Sequence, residues 1–327
     1  MAMTASKKKT GTCSGTTFSS LICQEIAERR TFPRTTLEVR TTAGQILSTY
    51  SLPEQSAGHQ VTPDGRLVYA LTGGRVSGAG IDRQLFAIDM ADGSARDLGA
   101  STSAVPAVDG QHVAWFAGDR IIVERHGGGR VLEKVLGELA SLHGGAIHAA
   151  TLLPNGCVAF TRGHRASDKI ADLAIISLTD GSVEQSWEIP VHTFSSVFAP
   201  AALRADPAGR FLAVPGLHEG LVIVDLQTGE DVADRFQPEQ LDLADDRPTL
   251  HAHHGYSDIA FDRDGARMAA AYRPGKLSVW TRDGALIRRE WVSTNPKARR
   301  LVTFDEKGVA FFDSMGTAAH FELDSAA

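Results

Sequence analysis

The sequence predicts an all-β chain built as a seven-bladed β-propeller of four-stranded antiparallel blades, and two interleaved repeats predict it. The first repeat is a short apolar strand running into a turn that ends in glycine and, in most copies, a second strand. It occurs six times: LEVRTTAGQILSTYSL from Leu37, LFAIDMADG from Leu85, IIVERHGGGRVLEKVL from Ile121, AIISLTDGSVEQSWEI from Ala174, VIVDLQTGEDVADRF from Val222 and LSVWTRDGALIRREWV from Leu277. The second repeat is a glycine turn opening onto a hydrophobic strand, at Gly65, Gly110, Gly156, Gly209, Gly265 and Gly308, with intervals of 45, 46, 53, 56 and 43 residues. A period of roughly 40–50 residues carrying four short strands is the spacing of propeller blades. One period before Gly65, CSGTTFSSLIC around Gly15 reads as a degenerate seventh copy. Without that copy the ring has six blades.

Each element has a local reason. Strands of about five residues between Gly, Asp, Asn and Pro turns suit tight antiparallel connections. The third strand of each unit is rich in Val and Ile, as in Val222 and Val224, which fits burial on both faces. A blade cannot bury both faces alone, so blades must cover one another. The last copy supplies LVTF, VAFF and AAHFEL but no fourth strand, and three strands are expected before Pro53. Closure then falls to the termini, with residues 1–12 either flexible or pairing against the last blade. The repeat runs end to end, so one domain is expected over 1–327.

The stretch HHGYSDIAFDRDGARMAAAYRPGKLSVW, from His253 to Trp280, resembles the WD40 and YVTN propeller repeats. It carries a histidine ahead of the first strand, the Phe261–Gly265 turn and a tryptophan closing the third strand. The resemblance implies a His–Ser/Thr–Asp–Trp hydrogen-bonded set. Alanines 269 to 271 and the turn Arg273-Pro274-Gly275 depart from that pattern, which marks a divergent, bacterial type of repeat.

Composition excludes several classes. A net charge of −6 is wrong for a non-specific nucleic-acid binder, which is normally basic. No window approaches 18 uninterrupted apolar residues, so no helical membrane span is expected. Lys7–Lys9 is followed by GTCSGTTFSSLIC, too polar for the apolar segment of a secretion signal. The three cysteines, Cys13, Cys23 and Cys157, form no metal-type pair and fit reduced thiols in a cytoplasmic protein. A protein or small-molecule ligand is the expected partner.

Strand parity locates the candidate site. In a four-stranded meander, the loop between strands two and three emerges at the same end as the connection to the next blade. Nine of the twelve histidines lie in such segments, namely 54–59, 137–148, 162–171, 190–200, 215–219 and 236–257. The face so defined includes His59, His148, Arg162, His164, His192 and His218. Histidines placed just before a first strand, as His59 and His148 are expected to be, also have an ordinary structural role in bonding to backbone. The loop RGHRASDK, from Arg162 to Lys169, suits an anion or a partner, or is simply solvated. TGGRVSGAG, from Thr72 to Gly80, has no phosphate-binding pattern and reads as a flexible loop.

The longest connection, 236–257, carries DLADDRPTLHAHH. In an extended segment His251 and His253 project to one side about 7 Å apart. Two imidazoles so placed can share a divalent transition metal, and Asp245 or Asp246 can serve as base. Against this stands the plain reading of polar loop residues. Two functions follow: a binding module with its ligand over the histidine-rich face at the mouth of the central channel, and a metal-dependent enzyme of lactonase, other hydrolase, lyase or oxidoreductase type.

Overall fold

The computed structural model describes residues 22–27, 35–40, 45–51, 56–62, 64–77, 80–102, 106–136, 147–163, 170–190, 203–215, 221–236, 256–272, 275–292, 300–313 and 317–323. These form strands in sequence order with no α-helix among them. The first sheet joins β1 (Ile22–Ala27), β2 (Thr35–Arg40) and β3 (Ile46–Ser51). The second joins β4 (Ser56–Val61), β5 (Leu67–Ser77), β6 (Gly80–Asp89) and β7 (Ala95–Ser101). The third holds β8 (Ala107–Val108), β9 (His112–Ala117), β10 (Arg120–Arg125) and β11 (Arg130–Val135). The fourth holds β12 (Ile147–Leu153), β13 (Cys157–Gly163), β14 (Ile170–Ser177) and β15 (Val183–Pro190). The fifth has β16 (Arg204–Ala205), β17 (Phe211–Pro215) and β18 (Leu221–Asp225). The sixth has β19 (Tyr256–Phe261), β20 (Arg267–Tyr272), β21 (Lys276–Thr281) and β22 (Leu286–Trp291). The seventh has β23 (Arg300–Phe304), β24 (Gly308–Asp313) and β25 (Ala318–Glu322).

Every sheet is an antiparallel meander in chain order. The strands β4, β8, β12, β16, β19 and β23 each touch the next along the series, and β1 touches β4. Sheets therefore stack through alternating side chains. In the second sheet Val68 and Ala70 pack with Tyr50 of the first, while Tyr69 and Leu71 pack with Val113, Trp115 and Ile122 of the third. The third and fourth sheets meet at Phe116 and Phe160, whose rings sit edge to face with centroids 5.7 Å apart. That geometry contributes about 1 kcal/mol beyond area burial. Period two with both faces apolar is what the Val- and Ile-rich third strands require.

Departures from the expected pattern have local causes. Three sheets show three strands rather than four among the described residues. In the fifth, VIVDLQTGEDVADRF does not return as a strand: Asp231 makes a single bridge to Val224, and its carboxylate accepts the Ile223 and Ala233 N–H groups. The chain then winds into a 3-10 turn, Ala233–Phe236, that drops Phe236 into the cluster around Trp280. The Arg235 carbonyl abuts Gly284, where a Cβ would collide with it. Thr72–Gly80 is no free loop, since β5 and β6 continue pairing through Arg75↔Asp82 to Ser77↔Gly80. Gly308, like Gly110, lacks the positive φ of the repeat glycines at 65, 156, 209 and 265. It is required instead by close approach, because a Cβ there would strike the Phe321 carbonyl. No helix of the described residues is long and apolar enough to cross a membrane.

Candidate functional site

The meander places the turns between strands one and two, and between strands three and four, at one end of the sheets. We call this the turn end, and the opposite end, with the connections between sheets, the loop end.

At the turn end, polar side chains are consumed by main chain. The residue closing the first strand caps the following turn in five sheets. Thr62 Oγ1 accepts the Leu67 N–H, Asp109 Oδ1 those of Gln111 and His112, and Asp206 Oδ1 those of Arg210 and Phe211. Asp262 Oδ1 accepts the Arg267 N–H, and Asp305 Oδ1 those of Lys307 and Gly308. Asp64 lies beside Thr62, and burial opposes its ionisation. The Thr62 hydroxyl, the Arg66 N–H and the charges of His126 and Arg66 outweigh that and hold its carboxyl below the usual range.

The three histidines of this end are engaged as well. His320 Nε2 sits 3.0 Å from Asp305 Oδ2, and His112 Nδ1 3.4 Å from Asp109 Oδ2. His126 bridges two sheets: Nε2 donates to the Asp109 carbonyl at 2.9 Å, and Nδ1 shares a hydrogen bond with the Tyr69 hydroxyl at 2.8 Å. A carbonyl can only accept, so Nε2 carries a proton. Tyr69 is fully buried, and desolvation first, with Glu124 and Asp64 adding, raises its pKa far above that of free tyrosine.

Near the loop end the strands carry a set of buried polar groups: Thr72, Ser101, Arg162, Asp172, Asp258 and Asp313, each at most 6% exposed. Burying a charge is costly unless it is paired. Asp258 meets that demand by tying three sheets together. Its Oδ1 lies 3.0 Å from Arg204 Nη2 of β16, and its Oδ2 accepts the Val302 N–H of β23 at 3.1 Å. Arg204 Nε also donates to the Ile259 carbonyl. Asp313 Oδ1 accepts the Thr317 N–H. These groups form a buried polar frame near the loop end.

The predicted site residues fall into two groups. His59 is no loop residue: it lies within β4, half-buried, opposite Ala70. His148 likewise lies within β12, at the irregularity between Ile147 and Ala149. Arg162 is a buried residue of β13, across from Asp172, and it donates to the Leu136 carbonyl of the third sheet at 3.5 Å. It belongs to the frame rather than to a solvated anion-binding loop. All three were misplaced because a strand running past its apolar stretch leaves no break in a polar, mixed sequence. His164, His192, His218, His251, His253, Asp245 and Asp246 lie outside the described residues. Among the described residues no three His, Cys, Asp or Glu side chains are grouped to hold a metal ion. Burial and Glu184 push the Cys157 thiol up to about 11, so it stays protonated at neutral pH.

Sequence reasoning missed the capping residues, although a signal existed. Thr62, Asp206, Asp262 and Asp305 each stand three positions before a repeat glycine. It also missed the Asp258–Arg204 tie, whose partners are 54 residues apart. Trp280, which the propeller resemblance would place in a hydrogen-bonded set, is fully buried, and its Nε1 has no hydrogen-bond partner among the described residues. No protein-family model matches the chain, and no curated protein matches its sequence.

Proposed function

We propose that the chain is a single-domain, seven-bladed propeller, a divergent relative of the WD40 and YVTN repeats, that works as a binding module. A protein partner or small-molecule ligand docks over the loop end, at the mouth of the central channel. The observation that carries this reading is the unequal use of polar groups at the two ends. The turn end spends its aspartates and its three histidines on internal bonds, while the loop end carries a buried polar frame and is where strand parity expects the other nine histidines. Rigid scaffolds presenting variable loops are general binding platforms.

Burial at the far face of the seventh sheet supports ring closure. Val309 and Phe311 pack on the sixth sheet, yet Ala310 and Phe312 on the opposite face are at most 1% exposed. A closed ring supplies their cover from the first sheet.

A thermal-shift screen of a small-molecule collection tests the location. Stabilising compounds should lose their effect on a His192→Ala/His218→Ala variant and keep it on His320→Ala. The reverse pattern refutes a loop-end site.

The second reading, a metal-dependent enzyme, is favoured by one feature. The HAHH segment runs directly into β19, which Asp258 anchors to both neighbouring sheets. Ligands on so fixed a base would be held in place for a metal. Elemental analysis of protein purified without a polyhistidine tag decides this: stoichiometric transition metal favours the enzyme, and metal-free protein removes that reading.

A further inference from the structure

The sixth sheet has four strands between neighbours that show three each among the described residues. Its outer strand β22 is the edge of that sheet among the described residues. Leu286, Ile287 and Trp291 are exposed on it, Trp291 at 54% despite the Lys276 Nζ lying 4.5 Å over its ring. Elsewhere among the described residues one other large apolar side chain is exposed, Ile46. Beside β22 runs a groove lined by Ile287, Arg288, Arg289, Glu290, Glu322 and Leu323.

The outer strands of the second and third sheets are guarded differently. On the second and third sheets Arg96, Glu124, Arg130, Glu133 and Arg120 form a continuous chain of ion pairs across β7, β10 and β11. Open edges attract further strands, and charge on an edge normally discourages it. On β22 the charges have an order that repels most partners and matches one.

We propose that β22 is a self-association edge, and that two copies of this chain pair their β22 strands antiparallel about a two-fold axis centred on Arg289. Backbone parity permits this register. The Val292 N–H bonds to the Gly275 carbonyl, and the ladder pairs Lys276 with Trp291, Leu277 with Glu290 and Ser278 with Arg289. Alternation along that ladder turns the N–H and C=O groups of Arg289 and Trp291 away from β21, toward the open edge. Outward groups must meet outward groups, so the axis has to pass through a residue rather than between two.

Side chains then choose among the allowed centres. Centred on Arg288, the register sets Arg288 against its own copy at the close, non-hydrogen-bonded spacing; centred on Glu290, it does the same to Glu290. Centred on Arg289, it sets Arg288 opposite the second copy's Glu290, twice by symmetry, and Ile287 opposite Trp291, also twice. The one like-charge pair, Arg289 with itself, falls at the wider hydrogen-bonded spacing. Arg288 and Glu290 already form an ion pair at 3.1 Å within one copy, so the two copies together make an alternating four-charge cluster. An isologous contact of this kind closes on itself and stops at two chains.

The contact area of one strand pair is at the small end of specific interfaces, so the dimer is weak and concentration-dependent. Sedimentation of the full chain should show its mass rise from 34.9 kDa toward twice that value with concentration. Arg288→Glu and Glu290→Arg singly should each weaken association by roughly tenfold, and the double exchange should restore it. An equimolar mixture of wild type and Arg289→Glu should associate more tightly than either protein alone. Circular dichroism and melting of each variant establish that the monomer is folded. A mass that stays at 34.9 kDa up to about 1 mM overturns the proposal. So does a dimer whose affinity ignores both single exchanges.

Discussion

The two ends of the sheets use similar polar residues to opposite purposes. At the turn end a carboxylate or hydroxyl faces the two N–H groups of a tight turn, and histidines complete the same networks, as Tyr69–His126–Asp109 does between the second and third sheets. Near the loop end buried polar groups sit on strands, and Asp258 and Arg162 bond between sheets, Asp258 with Arg204 and Val302 and Arg162 with Leu136. Polar density alone therefore does not mark a functional surface. What separates the ends is reach: the turn-end carboxylates bond the main chain of their own turn, whereas Asp258 and Arg162 bond the main chain of a neighbouring sheet.

The comparison breaks most visibly at Asp206. It is fully buried, its Oδ1 accepts two backbone N–H groups at 2.6 and 2.8 Å, and Arg282 lies 3.7 Å from its Oδ2. Asp206→Ala leaves a turn without its cap and the buried Phe211 N–H without a partner. The expected loss is about 3 kcal/mol, read as a lower midpoint in denaturant unfolding at unchanged slope. A loss below about 0.5 kcal/mol would show that turn-end polar groups are dispensable and would erase the contrast between the ends.

How much of this could be read beforehand depends on the range of the interaction. Strands such as Ile121–Val123 and Leu277–Trp280 alternate onto two apolar faces, and glycines with positive φ mark their turns, so local sequence suffices. The three-strand count before Pro53 and at the last copy was visible for the same reason. The failed return at Val232–Phe236 was not, because it hinges on one carboxylate, Asp231, outbidding a ladder, and on the distant Trp280 receiving Phe236. Gly73 to Gly80 reads as a loop because glycine carries no periodic signal, yet the β5–β6 ladder resumes after an irregularity at Gly73/Arg75 and runs to Ser77↔Gly80. For the candidate site, segments were assigned to an end by counting strands, while His59, His148 and Arg162 proved to lie inside strands. Partnerships such as Asp258 with Arg204 depend on which sheets become neighbours, and no local pattern encodes that.

Asp258→Asn sharpens the comparison from the other side. The substitution keeps one acceptor oxygen but removes the charge that faces Arg204, and it can leave the Val302 N–H facing an amide NH2. A loss of about 2 kcal/mol is expected, less than for Asp206→Ala because Arg204 is part-exposed and water can reach it. If stability is unchanged, the frame beneath the loops is not under tension from buried charge, and the loop end has no rigid base.

The smallest expected effect on stability is at His251 and His253. Both precede β19 in a segment that the sequence reads as a polar loop, so replacing both with alanine should leave the melting temperature within the scatter of surface substitutions, about 0.5 kcal/mol. Function should respond in the opposite sense. If a transition metal is present, the double variant should lose it, because two of the three or four ligands that a stable site needs would be gone. A turn-end control, His112→Ala/His320→Ala, should do the reverse: it gives up two carboxylate contacts and some stability while leaving any metal in place. A double variant at 251 and 253 that keeps full metal content removes this pair from the site. One that unfolds shows that these histidines are structural, and the division between the two ends then fails where it matters most for function.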